Sequence, residues 1–589
     1  MSHSNSFAAT KEHFLNRWHA VRAGRMSSAA VGFVSSPEPR SIGSIARARQ
    51  LQAGNFLFAG HLIEKEGGEI WSLTAPTVEF AHELNGFQWL DDLAAIGDKE
   101  AREMAQRWLR GWIVRYGRGR GPGWTPELTG RRLIRWIHHA LFLLRGLNAA
   151  DSDAFFLSLQ KQTHFLAKRW PGAPEGLPRF EALTGLIYAG LSLEGMQSMA
   201  DPAVKALARE CSKQIDAEGG LPSRNPEDLL HVFTLLNWTA AALGEAGLNC
   251  PPAQKEAIER IAPTLRALRH SDGGLARFHG GGRGAEGWLD QALAQAHVKR
   301  RQIKSQIEGQ TKGLSMGFAR LSAGRTSVVI DAALPPGGRA SVHAHASTLA
   351  FDLTSGRRPV IVNCGSGRTF GRDWRRAGRA TPSHSTLSLD GYSSARLGPV
   401  DPATGREQLI EGPGHVPVEI QNQRGWWHFQ GGHDGFVRTH GLTHARTLEM
   451  TVDGRDISGE DMLLAMKDLD KKRFDLATSA GERDGIAFDI RFHLHPEVDA
   501  TIDLGGTAIS LALKSGEIWV FRHDNTQSLR LEPSVYLETG RLKPRASNQI
   551  VLSGRAMSYA TRVRWSLSKA QETAIGVRDL TQDTFDLID

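Results

Sequence analysis

His343 and His345 stand two residues apart in the run RASVHAHASTLAFDL, followed by Asn363-Cys364-Gly365 and then by His384 in HSTLSLDG. Imidazole has an ordinary pKa near neutrality, so it can take or give a proton at physiological pH or bind a metal through a bare ring nitrogen. Residues two apart share one face of a strand, and Ser347, Leu349, Phe351 and Leu353 continue that face. The spacing predicts a strand with a buried apolar half and a polar, chemically active end. Thr354-Ser355-Gly356-Arg357 reads as a turn, the run from Pro359 to Val362 as a second buried strand, and His384 as the opening of a third. Three neighbouring strands would bring His343, His345, Asn363, Cys364 and His384 together, a set suited to acid–base work or to zinc.

The elements that must position this set are of two kinds. From about Leu84 to residue 300 the chain alternates apolar-periodic segments with Gly/Pro turns. Leu133, Trp136, Ile137, Ala140, Leu141 and Leu144 fall on one helical face, and Thr125-Pro126-Glu127 fits a cap with proline in the first turn. Further helices are predicted near 101–116, 153–169, 181–196, 203–215, 227–245 and 252–268. A succession of helices without strands needs a bundle, a solenoid or a closed toroid to bury its stripes. The pattern changes at the Lys299-Arg300-Arg301 charge run. From Gly317 onward short alternating segments punctuated by turns, Asp453-Gly454 and Ser553-Gly554 among them, predict a large antiparallel β-sandwich.

Composition narrows the partners. The formal net charge of +8 suits an anionic ligand, but the cations are scattered and no nucleic-acid-binding signature accompanies them. Cys211, Cys250 and Cys364 do not form a disulfide framework. There is no uninterrupted apolar stretch at the N-terminus and no span-length apolar run. The expectation is a soluble, cytoplasmic protein without a membrane partner, with the periplasm as the alternative and a homodimer allowed for.

The motifs together resemble the heparinase II/III-like polysaccharide lyase family. The segments that carry the resemblance are His345-Ala346-Ser347, Val362-Asn363-Cys364-Gly365 and His384-Ser385-Thr386, with His433-Asp434-Gly435-Phe436, Gly441 to Arg446, Gly459-Glu460-Asp461 and Arg491 to Pro496 further on. The helical half adds Leu84-Asn85-Gly86-Phe87 and Asp272-Gly273-Gly274. The resemblance implies a multidomain α+β chain: a lead-in segment over 1–80, an (α/α) toroid over 81–312 and an antiparallel β-sandwich over 313–589. It implies β-elimination on an acidic, uronate-containing polysaccharide or oligosaccharide. A base removes the proton α to the carboxylate, a cation or amide neutralises that carboxylate, and an acid protonates the leaving oxygen.

Residue by residue, His345 is expected as acid or base, with His343 beside it. The family tyrosine is expected in Ser223-Arg224-Asn225-Pro226-Glu227-Asp228, where this chain has Asp228. Of its five tyrosines, Tyr188 is the candidate catalytic one. Arg179, Arg224, Arg379 and Asp228 are expected to bind substrate. His384 and Asn363 are expected at a structural zinc, with Ser347 in place of the family's aspartate and Cys364 or His343 as substitutes. Two other readings are a non-catalytic acidic-glycan-binding protein and a glycoside hydrolase using Asp228 or Glu227.

Overall fold

The computed structural model describes residues 2–26, 32–35, 38–65, 67–296, 313–389, 391–402, 405–423, 426–479 and 485–570; the Lys299–Arg301 run lies outside them. The N-terminal part is helical and closes into an (α/α) toroid. The lead-in is more regular than its sequence suggests, with a helix at Ser2–Gly24, a second at Ile45–Gln52 and a hairpin pairing Asn55–Phe58 with His61–Glu64. Within the toroid, Pro126–His138, Leu177–Ser192 and Pro226–Glu245 pack side by side, backed by Ala149–Arg169, Ala200–Gln214 and Pro252–Ala267. Helix starts carry the side-chain caps their sequences advertise: Thr77 accepts from Phe80 N, Asp98 from Ala101 N, and Asn225 from both Glu227 N and Asp228 N.

Two glycines set how closely the inner helices approach. A Cβ at Gly185 would lie 2.5 Å from the Gly130 Cα, and one at Gly130 would overlap the Glu181 backbone. Side chains at either position would push Pro126–His138 and Leu177–Ser192 apart. The contact also brings Arg131 to Glu181, with Nε donating over 2.6 Å.

The C-terminal part is a sandwich of two antiparallel sheets. One runs in the order Ser528–Tyr536, Arg545–Ala556, Ile486–Leu494, Arg358–Val362, Phe351–Ser355, Thr326–Asp331, Phe318–Ala323, Leu314–Ser315, with Leu387–Leu389 pairing onto Ile486–Leu494. The other runs Val418–Gln423, Trp426–Phe436, Leu442–Met450, Asp456–Leu464, Ala560–Lys569, Ile518–His523, Ala508–Ala512, Asp499–Asp503. Strand Leu442–Met450 alternates buried and half-buried residues along its length, as one core-facing side requires. Phe351 and Trp565 stack between the sheets at 6.0 Å, flanked by Phe492 and Phe521. Ser553-Gly554 is not a turn but lies inside a strand, where the absent Cβ makes room for the Phe488 ring.

The two parts are latched by buried polar groups. Arg224 donates to the carbonyls of Met316, Gly317 and Leu334 and, over 2.6 Å, to the Asp331 carboxylate. Its guanidinium lies 4.6 Å from the Phe318 ring centroid. Asp331 has no exposed surface, and it also accepts from Ser347 Oγ at 2.6 Å. Despite burial, Arg224 and His279 hold this carboxyl below its usual range. Arg224, expected at substrate, is therefore committed to the seam between the domains. Arg224→Met would leave a buried carboxylate uncompensated, and a loss of about 3–5 kcal/mol is expected, read as a lower urea midpoint against the parent chain.

Candidate functional site

The histidine run is not a strand. Gly338–His343 is a 3-10 helix, an irregular stretch with a turn at Thr348-Leu349 follows, and the strand begins only at Phe351. The reason is that the polar groups of this segment are satisfied by side chains rather than by a neighbouring strand. Arg379 donates to Ser341 O and Ala344 O at 2.8 Å each and to Glu407 O at 3.0 Å. Arg375 reaches Val342 O, and Arg379 O accepts from Ala346 N. Arg379, expected at substrate, is buried beneath the segment and positions it.

This arrangement separates the two histidines. His345 is buried, and its Nδ1 lies 3.0 Å from His384 Nε2. His384 Nδ1 faces the Ala380 carbonyl at 2.9 Å, and a carbonyl only accepts, so His384 carries its proton on Nδ1 and accepts at Nε2. His345 then donates from Nδ1. Burial holds both imidazoles neutral, His384 lowered to about 4 and His345 well below its ordinary value. His343 is half-buried and packs against the toroid's Gly280 turn. Burial, then the charges of Arg368, Arg375, Arg406 and Arg379, press its pKa well below the usual value.

The residues expected at zinc do not fit one. Asn363 Nδ2 donates to Asp352 Oδ1 at 2.6 Å and its Oδ1 accepts from Ser385 N at 2.9 Å, which uses the amide up. Ser347 is spent on Asp331. Cys364 contacts His493 Nδ1 at 3.5 Å, and burial pushes its thiol up to about 11, away from the thiolate a metal needs. Only His345 and His384 face one another, and a zinc site takes at least three protein ligands. Among the described residues no group of three or more His, Cys, Asp or Glu could hold a metal ion.

The toroid supplies the opposite wall. Pro226–Glu245 starts at the cleft, and its first turn is fastened to the Gly280–Gly282 turn through Glu227 Oε2, which accepts from Gly282 N at 2.8 Å. Gly280, at φ +88°, is where that turn meets His343: a Cβ there would sit 3.1 Å from the His343 Cβ. The same turn thus abuts His343 and ties down the helix start bearing Asp228. Asp228 lies deep but keeps part of its surface open. Burial raises its pKa to about 7; Glu227 and Glu181 add to the rise, and Arg368 opposes it. One turn on, His231 packs edge-on against Trp288 and is lowered to about 3 by burial. The charge of Arg368 acts on Asp228, His231 and His343 alike, although Arg368 comes from the sandwich and the first two from the toroid.

The other expected residues lie elsewhere. Tyr188 is fully buried in the toroid core, its hydroxyl donating to Trp238 O at 3.1 Å, and burial raises its pKa. Arg179 donates to Ala173 O and pairs with Glu210 at 3.2 Å, holding the rim loop. Sequence reasoning passed over Arg368, His279 and Asp331. Arg368 looked like scattered surface charge, and only the fold brings it across from Asp228. His279 and Asp331 had a weak signal, a polar residue ending an apolar run in each case.

Comparison with known proteins agrees with the architecture. Residues 307–566 match the family model Heparinase II/III-like, C-terminal. The chain is 29% identical over 551 residues, 91% of its length and 89% of the relative's, to FtsZ-localized protein C of Caulobacter vibrioides (strain NA1000 / CB15N). Its fold matches heparinase III with a TM-score of 0.65 at 12% identity, covering 93% of this chain and 88% of that one. A heparan sulfate lyase HepC mutant from Pedobacter heparinus gives 0.56 at 14% identity, covering 95% and 88%. These likenesses bear out the resemblance read from the motifs, and with it the toroid followed by a sandwich.

The Arg379 contacts make one direct expectation. Arg379→Lys keeps the charge but loses the planar fork that reaches three carbonyls. Amide hydrogen exchange over 341–346 should become faster, while the strand Phe351–Ser355 keeps its protection.

Proposed function

From a chain whose C-terminal domain is heparinase II/III-like, we propose an acidic-glycan lyase that works by β-elimination in the cleft between toroid and sandwich. The observation that carries the reading is that the Gly280–Gly282 turn abuts His343 and fastens the helix start bearing Asp228, with the charge of Arg368 acting on both. His343 takes the proton from the carbon α to the uronate carboxylate. The electrons of that C–H bond form the new double bond, and the bond from the β carbon to the glycosidic oxygen breaks. Asp228 gives its proton to the departing oxygen. Arg368 faces the charge that builds on the uronate carboxylate, with Arg375 and Arg406 beside it. Burial first, and then these same arginines, depress His343. A bound carboxylate offsets them, so the imidazole becomes a better base when substrate is present.

His345 takes a supporting role in this reading, since its ring is bonded to His384 and buried. A hydrolase is less well supported. Such chemistry needs two free carboxyl groups, and Glu227 and Glu181 are bonded to Gly282 N and Arg131. The name of the Caulobacter relative favours a second reading, a glycan-binding protein placed by FtsZ. That protein would retain a uronate oligosaccharide and form no unsaturated product.

The test is ultraviolet absorbance of the conjugated uronate while the protein is offered uronate polymers and oligomers. A rise is expected, and Asp228→Asn and His343→Gln should each lower kcat/KM by about 10²–10⁴-fold. Tight binding without any rise favours the second reading. The pH profile carries a sign. Asp228 must be protonated to act as acid, so kcat/KM should fall as pH rises through about 7, and that limb should vanish in Asp228→Asn.

A further inference from the structure

A second polar cavity lies away from the cleft, where the toroid's last turns meet the outer face of the sandwich. It measures about 30 Å³ and is lined by His270, Asp272, Arg277, Arg283, Asp352 and Tyr536 among others. One water needs roughly 10–15 Å³, so the enclosed part has room for about two waters, and a larger occupant has to extend to the open mouth at Arg283. Arg277 is 7% exposed. Its Nη2 donates to Leu537 O, its guanidinium lies 4.0 Å from the Tyr536 ring centroid, and its Nη1 has no partner. No carboxylate pairs with this guanidinium among the described residues. His270 is 6% exposed; its Nδ1 is bonded to Ser327 Oγ at 3.0 Å, while its Nε2 is unpartnered.

Arg277 has Asp352 as a neighbouring charge but no carboxylate oxygen within ion-pair distance, so the cost of taking its guanidinium out of water is only partly offset. The two carboxylates nearby are engaged elsewhere. Asp352 accepts from Arg277 N, Asn363 N and Asn363 Nδ2. Asp272 accepts from Gly274 N and from Arg283 on the rim. What the cavity lacks is an acceptor for Arg277 Nη1 and a partner for His270 Nε2. We infer that it binds a small oxyanion, phosphate or sulfate, held by Arg277 and His270 with Arg283 at the mouth. Planar arginine donors suit such oxygens. The anion would brace the seam between the domains, since Arg277 lies two residues before His279, which contacts the Asp331 carboxylate and accepts from His345 N.

Titration calorimetry with inorganic phosphate and with sulfate tests this on the full chain, with chloride as the control at matched ionic strength. Saturable binding of the oxyanions is expected, with a higher thermal midpoint. Arg277→Met should weaken the affinity about tenfold to hundredfold, and Arg283→Gln less. Absence of saturable binding, or a chloride effect equal to that of phosphate, would overturn the inference and leave the cavity to water. An Arg277→Met affinity equal to the parent's would do the same. Should that variant not fold, unchanged affinity in His270→Gln decides against the site equally. A sulfated monosaccharide separates the sources. Competition with inorganic sulfate assigns the cavity a sugar-borne group, and failure to compete beside tight sulfate binding assigns it the free ion. None of these readouts depends on glycan turnover.

Discussion

Asp331 carries its charge where water does not reach, and the architecture around the cleft is arranged to satisfy it. Its partners come from three places: Arg224 from the turn before an inner toroid helix, His279 from the loop leaving the toroid, and Ser347 from the stretch after the histidine run. Its backbone also accepts from Leu349 N, which fixes where that stretch turns into strand. A buried carboxylate tolerates little slack, because each missing donor costs about as much as a lost buried hydrogen bond. This side chain therefore joins other bonds across the seam, Arg320 to the carbonyls of Ala267 and Arg269 among them, in setting the toroid against the sandwich, and it fixes the path of the chain carrying His343 and His345.

A second buried charge completes the frame from below. Arg446 donates to both oxygens of Asp461 and to the carbonyls of Leu349 and Ser385. Leu349 needs that support, since it sits at φ +65°, a left-handed conformation that branched and bulky residues rarely adopt. His444 and His433 extend the network from Asp461 in one direction, each ring donating from one nitrogen and accepting at the other. The sandwich thus holds the cleft wall through hydrogen bonds to backbone carbonyls. The arginines that do this, Arg224, Arg379 and Arg446, are distinct from Arg368 and Arg406, which stay exposed and present charge.

This division explains which parts of the site were legible beforehand. The pattern of types told where chemistry could occur: His343, His345, His384 and Asp228 all lie at or beside the cleft. It could not assign their roles. His343 and His345 look equivalent in an alternating run, and a strand would have pointed both the same way. The 3-10 turn breaks that equivalence by leaving one ring half-buried beside the Gly280 turn and burying the other against His384. Arginine is equally mute in sequence. Arg179, Arg224 and Arg379 looked like clamps for a carboxylate, yet each finds a nearer acceptor inside the fold. Asn363 looked like a ligand until its amide proved to be spent on Asp352 and Ser385.

By itself the sequence determined most of the elements, though not the 3-10 turn of the histidine run or the strand through Ser553-Gly554. Helical periodicity, proline and asparagine at helix starts, and period-two alternation after Gly317 are local properties, governed by the geometry of a few consecutive residues. They were enough for a helical part followed by antiparallel sheets, and the motif order pointed to the toroid. Only the tertiary structure decided which polar groups pair. Burial, hydrogen-bond satisfaction and pKa depend on neighbours a hundred or more residues away, as Arg224 to Asp331 shows. Those long-range contacts turn one arginine into a latch and leave another facing the cleft. Burial in the fold likewise raises Asp228 to about 7, against the opposing charge of Arg368, a value its place at a helix start would not suggest.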